Sequence, residues 1–142
     1  MLRFIFDVDG TLTPSRCAID PKFLRFMLRF VKDNSVYLAT GSDAPKTIEQ
    51  IGKELFNSVT RSYNCNGNSV WEKGANVHNN PWKIKVPAHQ TLRYWLENTK
   101  FPHLTGTHIE ERPGMVNFSI VGRGANTEQR AEYVKWDKEY NE

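Results

Sequence analysis

Apolar positions change their period along the chain, and the changes mark its elements. Residues 2–6 (LRFIF) are a short apolar run that predicts a buried strand. Asp20-Pro21 predicts a helix start, with Asp as cap and Pro at the first helical position. Phe23, Leu24, Met27, Leu28, Phe30 and Val31 then give a wide apolar face through about residue 33. VYLA at 36–39 predicts a second strand, which runs into the polar loop TGSD at 40–43. Residues 44–55 predict a second helix, with Ile48, Ile51 and Leu55 on one side, and VTRSY at 59–63 a third strand. The order β-α-β-α-β predicts a parallel sheet with right-handed crossovers.

Beyond residue 63 the pattern is different. NCNGN at 64–68 is turn chemistry, and residues 69–78 read as a hairpin. A helix is expected over 88–98, with Leu92, Trp95 and Leu96 as its apolar stripe. Residues 107–123 read as an antiparallel hairpin, with Pro113-Gly114 in a type II turn. A last helix is expected over roughly 127–140. The organisation is thus an α/β segment over 1–78 followed by an α+β segment over 79–142. No repeat or low-complexity stretch interrupts it.

Composition narrows the class. Apolar residues make up 39% of 142, enough for a core. Nineteen Lys and Arg against 16 Asp and Glu leave a charge of +3, too mild to imply nucleic acid. No run is long enough to span a bilayer, and two cysteines without CxxC spacing read as reduced thiols, so a cytoplasmic protein is the expectation. The four histidines lack zinc-site spacing.

The chemistry concentrates in FDVDGTLTPSR at 6–16, where the first strand ends. Ligands of open α/β sheets bind at the carboxyl ends of strands. Asp7 and Asp9 have the same parity, so an extended backbone points them the same way. Gly10 lets the chain turn. Two converging carboxylates repel unless a cation sits between them, and oxygen ligands suit Mg²⁺. Thr40 and Ser42 follow the second strand, and on its own Thr-Gly-Ser-Asp is ordinary loop chemistry. In the second segment Val116, Phe118 and Ile120 share one strand face, and Asn117, Ser119 and, by parity, Arg123 share the other. Arg112 closes the preceding strand. Arg130 lies in the first turn of the last helix, after a cap at Asn126 or Thr127. A cation there opposes the helix dipole unless it shares an anion with the free N–H groups. Each of these arginines alone reads as a solvated side chain; their strength is as a set.

The D-x-D-G-T motif resembles the signature of the haloacid-dehalogenase (HAD) phosphotransferases. Residues 106–142, GTHIEERPGMVNFSIVGRGANTEQRAEYVKWDKEYNE, look like the cap of the HAD-type phosphomannomutases, whose pattern is F-I-E-x-R-x-G-M-x-N-x-S-P-I-G-R. GSD at 41–43 and NG at 66–67 continue the likeness. Departures are Ile120-Val121 for the family's Pro-Ile, Thr40 for its first Gly, and Asn64-Cys65 for Pro-Glu. The resemblance implies an α/β fold, a HAD-like Rossmannoid parallel sheet with an inserted α+β cap. It implies Asp7 as nucleophile and Asp9 as acid/base, both on Mg²⁺. It implies Thr40 or Ser42 as the hydrogen-bond partner of the phosphoryl group, and Arg16, Arg112, Arg123 and Arg130 as sugar-phosphate ligands. The implied partners are hexose 1- and 6-phosphates, with neither nucleic acid nor membrane, in a homodimer through the cap that serves mannose metabolism and GDP-mannose supply.

The likeness ends inside the cap. The family's later Lys and acidic metal loop have no counterpart before Glu142, so residues 2–6 are expected to form an exposed apolar edge. Three readings follow. One is a mutase that passes a phosphoryl group through Asp7, another a sugar-phosphate phosphatase, and the third a shortened, catalytically incomplete relative. Arginines in the cap favour the mutase, because a phosphatase needs only one phosphate held.

Overall fold

The computed structural model describes residues 2–140 and divides the chain into two units, the first ending at Trp82 and the second starting at Lys83. In the first unit β1 (Arg3–Phe6), α1 (Pro21–Asp33), β2 (Ser35–Ala39), α2 (Ala44–Ile51), α3 (Lys53–Ser58) and β3 (Arg61–Asn64) precede a hairpin, β4 (Ser69–Glu72) and β5 (Ala75–Asn79). Strand order follows chain order: β1, β2 and β3 pair in parallel, and β4 and β5 add antiparallel. The expected parallel sheet is therefore mixed, with the hairpin continuing it.

Local chemistry explains the elements. Asp20 caps α1 by accepting the N–H groups of Lys22 and Phe23, with Pro21 behind it. Met27 is buried on that helix, and Leu24, Leu28 and Val31 pack beside it over Val36 and Leu38 of β2. Leu38, Ile51, Leu55 and Phe56 are almost completely buried. Each contributes about 1.5–3 kcal/mol relative to an exposed side chain. The single helix expected over 44–55 is two helices, because Gly52 sits at φ +82 and ends the first one. An L side chain rarely adopts that backbone, and periodicity alone does not register the break.

β1 is one of the two edge strands, and only one of its faces is covered. Phe4 and Phe6 pack edge-to-face on Phe30 of α1, while Leu2 and Ile5 remain 70% and 73% exposed. The buried strand read from LRFIF is thus a half-covered edge.

The second unit holds α4 (Val86–Asn98), β6 (Ile109–Arg112), β7 (Met115–Phe118) and α5 (Thr127–Tyr140). β6 and β7 pair antiparallel across Pro113-Gly114, with Gly114 at φ +65 as a type II turn requires. Phe101, Val121 and Ala125 form its small core with Tyr133 and Trp136, and Trp95 of α4 packs on Phe118. The strand expected over 115–123 ends at Phe118. The chain continues beside residues 105–108 through irregular bonds and turns at Gly122, φ +86.

Two glycines separate backbone strain from overlap. A Cβ at Gly52 meets nothing, whereas one at Gly122 overlaps the Thr105 carbonyl. Gly52→Ala is expected to destabilise its unit by about 1–3 kcal/mol, and Gly122→Ala its own unit by more. Urea unfolding followed by hydrogen exchange in each unit checks the order.

Candidate active site

Strand β1 ends at Phe6, and the chain closes a tight loop just beyond it. The Val8 carbonyl accepts the N–H groups of Thr11, Leu12 and Thr13 at 3.3, 3.0 and 3.1 Å, and the Gly10 N–H donates to the Thr13 carbonyl at 2.7 Å. Val8 is fully buried between an exposed Asp7 and a half-buried Asp9, so the alternation of an extended chain carries through the motif. Asp7 makes no hydrogen bond or ion pair with the described residues.

Asp9 is held from three segments. Its Oδ1 accepts the Arg16 backbone N–H at 2.7 Å and the Gln50 amide Nε2 at 2.8 Å; its Oδ2 accepts the Ser42 hydroxyl at 3.4 Å. Burial works against the charged form, but these donors and the Arg16 charge outweigh it and hold the carboxyl below its ordinary value. Arg16 reaches Asp9 with its backbone because it adopts φ +61, a conformation that carries strain in any residue with a Cβ.

The loop after β2 is shaped by buried polar groups. Thr40 is buried, and its hydroxyl oxygen accepts the Ser42 N–H at 3.1 Å. Of the two expected residues, Ser42 reaches the carboxylate pair and Thr40 supports it from beneath. Asn64, fully buried at the end of β3, donates to the Ser42 carbonyl at 3.1 Å and the Thr47 hydroxyl at 2.8 Å. Gln50 and Asn64 are the residues that sequence reasoning missed. For Gln50 the available signal was a polar residue beside Ile51 on the inward face of α2; for Asn64 it was a polar strand end opposite the TGSD loop.

Of Arg112, Arg123 and Arg130 in the second unit, two are gathered at one carboxylate. Glu110 pairs across the hairpin with Asn117, and Arg112 with Met115, so these four share its polar face. Glu110 Oε2 accepts from Arg112 at 2.6 Å and forms an ion pair with Arg123 Nε at 3.3 Å. Arg112 is buried, while Arg123 is about a quarter exposed. Arg123 reaches this face through the Gly122 turn, not through strand parity. Arg130 is turned onto carbonyl oxygens: Ala125 at 3.1 Å, Gly122 at 3.3 Å and Arg123 at 3.5 Å. Those carbonyls are the partners that the described residues give to a cation near the start of α5. The helix is capped by Asn126, whose side chain accepts the Gln129 N–H while Gln129 accepts that of Asn126, both at 2.9 Å. A cavity of about 820 Å³ opens beside Trp95, Phe118, Val121 and Tyr133, on the apolar side of the hairpin, and neither Arg112 nor Arg123 lines it.

Among the described residues, no three His, Cys, Asp or Glu side chains are grouped as a metal site. Asp7 offers an uncommitted carboxylate, and Asp9 stands two residues from it. That set suits Mg²⁺, which commonly takes one or two carboxylates and completes its shell with water and phosphate oxygens. No helix of the described residues is long and apolar enough to cross a membrane.

Residues 23–141 match the family of eukaryotic phosphomannomutases. The match starts beyond the carboxylate motif, so motif and match are separate observations. The chain belongs to the eukaryotic phosphomannomutase family. It is 37% identical to the phosphomannomutase of Dendrobium officinale over 147 aligned residues, which cover 99% of this chain and 58% of that protein. It is 38% identical to that of Spinacia oleracea, over 94% and 56% of the two chains, and 32% identical to that of Saccharomyces cerevisiae, over 96% and 56%. The chain therefore spans little more than half the length of these phosphomannomutases. A haloacid dehalogenase-like hydrolase from Bacteroides thetaiotaomicron superposes with a TM-score of 0.51 at 24% identity, over 68% of this chain and 38% of that one. A trehalose-6-phosphate phosphatase related protein also gives 0.51 at 16% identity, over 99% and 62%. These likenesses establish the HAD-like α/β fold.

The depressed Asp9 carboxyl sets a direction for acid stability. A group whose folded value lies below its unfolded one stabilises above the unfolded value and loses that contribution as pH falls through the folded one. The stability gap between the wild type and Asp9→Asn is expected to be full at pH 7 and to narrow as pH falls below about 4. Urea titrations at pH 7, 5 and 3 measure it, and a gap as wide at pH 3 as at pH 7 contradicts the assignment.

Proposed function

We propose that this chain carries the phosphoryl-transfer residues of a Mg²⁺-dependent hexose-phosphate mutase. The observation that supports it best is the contrast at the end of β1, where an exposed, uncommitted Asp7 stands two residues from an Asp9 fixed by three donors. A nucleophile has to be free to attack, and a proton carrier has to be aimed.

In the proposed cycle Asp7 starts as an aspartyl phosphate. A hydroxyl of the hexose monophosphate attacks its phosphorus, the bond from Asp7 to phosphorus breaks, and Asp9 takes the hydroxyl proton. The product is a hexose bisphosphate. After the sugar turns end for end, Asp7 attacks the other phosphorus, and Asp9 returns the proton to the leaving sugar oxygen. Asp9 rests ionised, as the first half-reaction needs. A bound Mg²⁺ on Asp7 and Asp9 would offset the charge between the nucleophile and the phosphoryl oxygens. Ser42, with Thr40 behind it, and Arg16 are the proposed phosphate contacts of the first unit. In the second unit Arg112 and Arg123 are proposed to hold a phosphate, with Glu110 keeping the two guanidiniums together and Arg130 fixing the turn that carries Arg123. The proposed setting is the cytosol, with two copies paired through the second unit.

Phosphorus NMR of the full chain with Mg²⁺, mannose 1-phosphate and a trace of glucose 1,6-bisphosphate tests this reading. The mutase gives mannose 6-phosphate, and Asp7→Asn gives none. Growth of inorganic phosphate would instead mark a phosphatase, and an unchanged spectrum would overturn activity of this chain by itself.

The two arginines of the polar face should also separate. Arg123→Ala is expected to raise KM roughly tenfold or more with little loss of stability, the order expected for one charged hydrogen bond. Arg112→Ala is expected to raise KM and to lower Tm as well, because it leaves a cavity and an unpaired share of Glu110. Thermal melts beside steady-state kinetics distinguish them.

A further inference from the structure

Gln50 is 2% exposed, on the last turn of α2, and joins the carboxylate loop at three points. Its amide nitrogen donates to Asp9 Oδ1 at 2.8 Å and lies 3.3 Å from the Thr13 hydroxyl. Its backbone carbonyl accepts the Ile19 N–H at 2.8 Å, where the loop rejoins the core. The start and the end of the loop are thus tied to one residue. Its amide oxygen is buried and has no hydrogen-bond partner among the described residues.

That last fact bears on the role. An apolar side chain of the same length would fill this position without stranding a buried carbonyl, so packing does not call for an amide here. What an apolar side chain would lack is the donor to Asp9. With Arg16 and Gln50 both on Oδ1, that oxygen has two donors and the carboxylate has one favoured rotation. Oδ2 keeps only the long Ser42 contact and is the oxygen left to meet a substrate hydroxyl.

We propose that Gln50 is a positioning residue: its buried amide fixes the orientation of the Asp9 carboxylate so that Oδ2, and not Oδ1, handles the proton of the sugar hydroxyl. The inference rests on the phosphotransferase reading for its consequence, and on the geometry alone for its premise. A misplacement of about 1 Å at a reacting group costs on the order of a hundredfold in rate, and a carboxylate freed to rotate is misplaced for most of the time.

The test uses the full chain and two readouts. The first needs no turnover. In ¹⁵N-labelled wild type the Gln50 side-chain amide is expected to show one proton shifted downfield and protected from exchange, and Asp9→Ala should abolish both features. A Gln50 amide that is unshifted and freely exchanging in the wild type overturns the proposal. The second readout is Gln50→Met, which keeps length and bulk. The expected result is a kcat roughly tenfold to a hundredfold lower, with KM and Tm unchanged. A kcat equal to wild type, or a loss that follows a fall in Tm, overturns it, because a merely structural amide would do one or the other. Should the wild-type chain turn over no sugar phosphate, the phosphotransferase reading fails by itself, and the amide signal still decides the positioning role.

Discussion

A carboxylate drawn half out of water keeps its charge only where the protein supplies donors, and in this chain Asp9 draws them from its own loop, from the loop after β2 and from α2. Much of the first unit serves that demand. Arg16 accepts a left-handed backbone to present its N–H, Asn64 is fully buried to hold the Ser42 loop, and Gln50 occupies a core position that an apolar residue would otherwise fill. None of these groups gains much by itself, since an intramolecular hydrogen bond contributes only about 0.5–1.5 kcal/mol net. Together they convert a flexible strand end into a site with one arrangement, which is what buried polar networks do when every donor has a purpose.

Asp7 is the counterpart. It stands on the same strand end without a protein partner among the described residues, so it keeps its solvation and its freedom to react. The two carboxylates are chemically alike and sit two residues apart. Their different surroundings, not their identities, set the proposed nucleophile apart from the proposed proton carrier.

The second unit follows the same rule with the signs reversed. Two guanidiniums on one small hairpin would repel, and Glu110 between them removes that repulsion and fixes their separation. Arg130 spends its donors on the carbonyls of the turn before α5 and steadies the segment that carries Arg123. A sheet of two strands is marginal alone; here it is backed by Trp95 and the aromatic cluster of Phe101, Tyr133 and Trp136.

The sequence by itself determined the elements whose causes are local. Asp20-Pro21, the turn at Pro113-Gly114 and the alternation around Val8 each follow from a few adjacent residues, and so does the placement of the carboxylate pair at the end of β1. Gly52 was equally local, but a glycine is a permission and not an instruction, so the break between α2 and α3 was not legible. The partners of each charged group were decided only by tertiary structure. Gln50 meets Asp9 across 41 positions and Asn64 meets Ser42 across 22, separations at which periodicity carries no information. Arg130 shows the same limit: its place on the helix says nothing of the three carbonyls that it meets once the chain has folded. A sequence records which groups a site contains, while distance and burial, which exist only after the chain has packed, decide which group answers which.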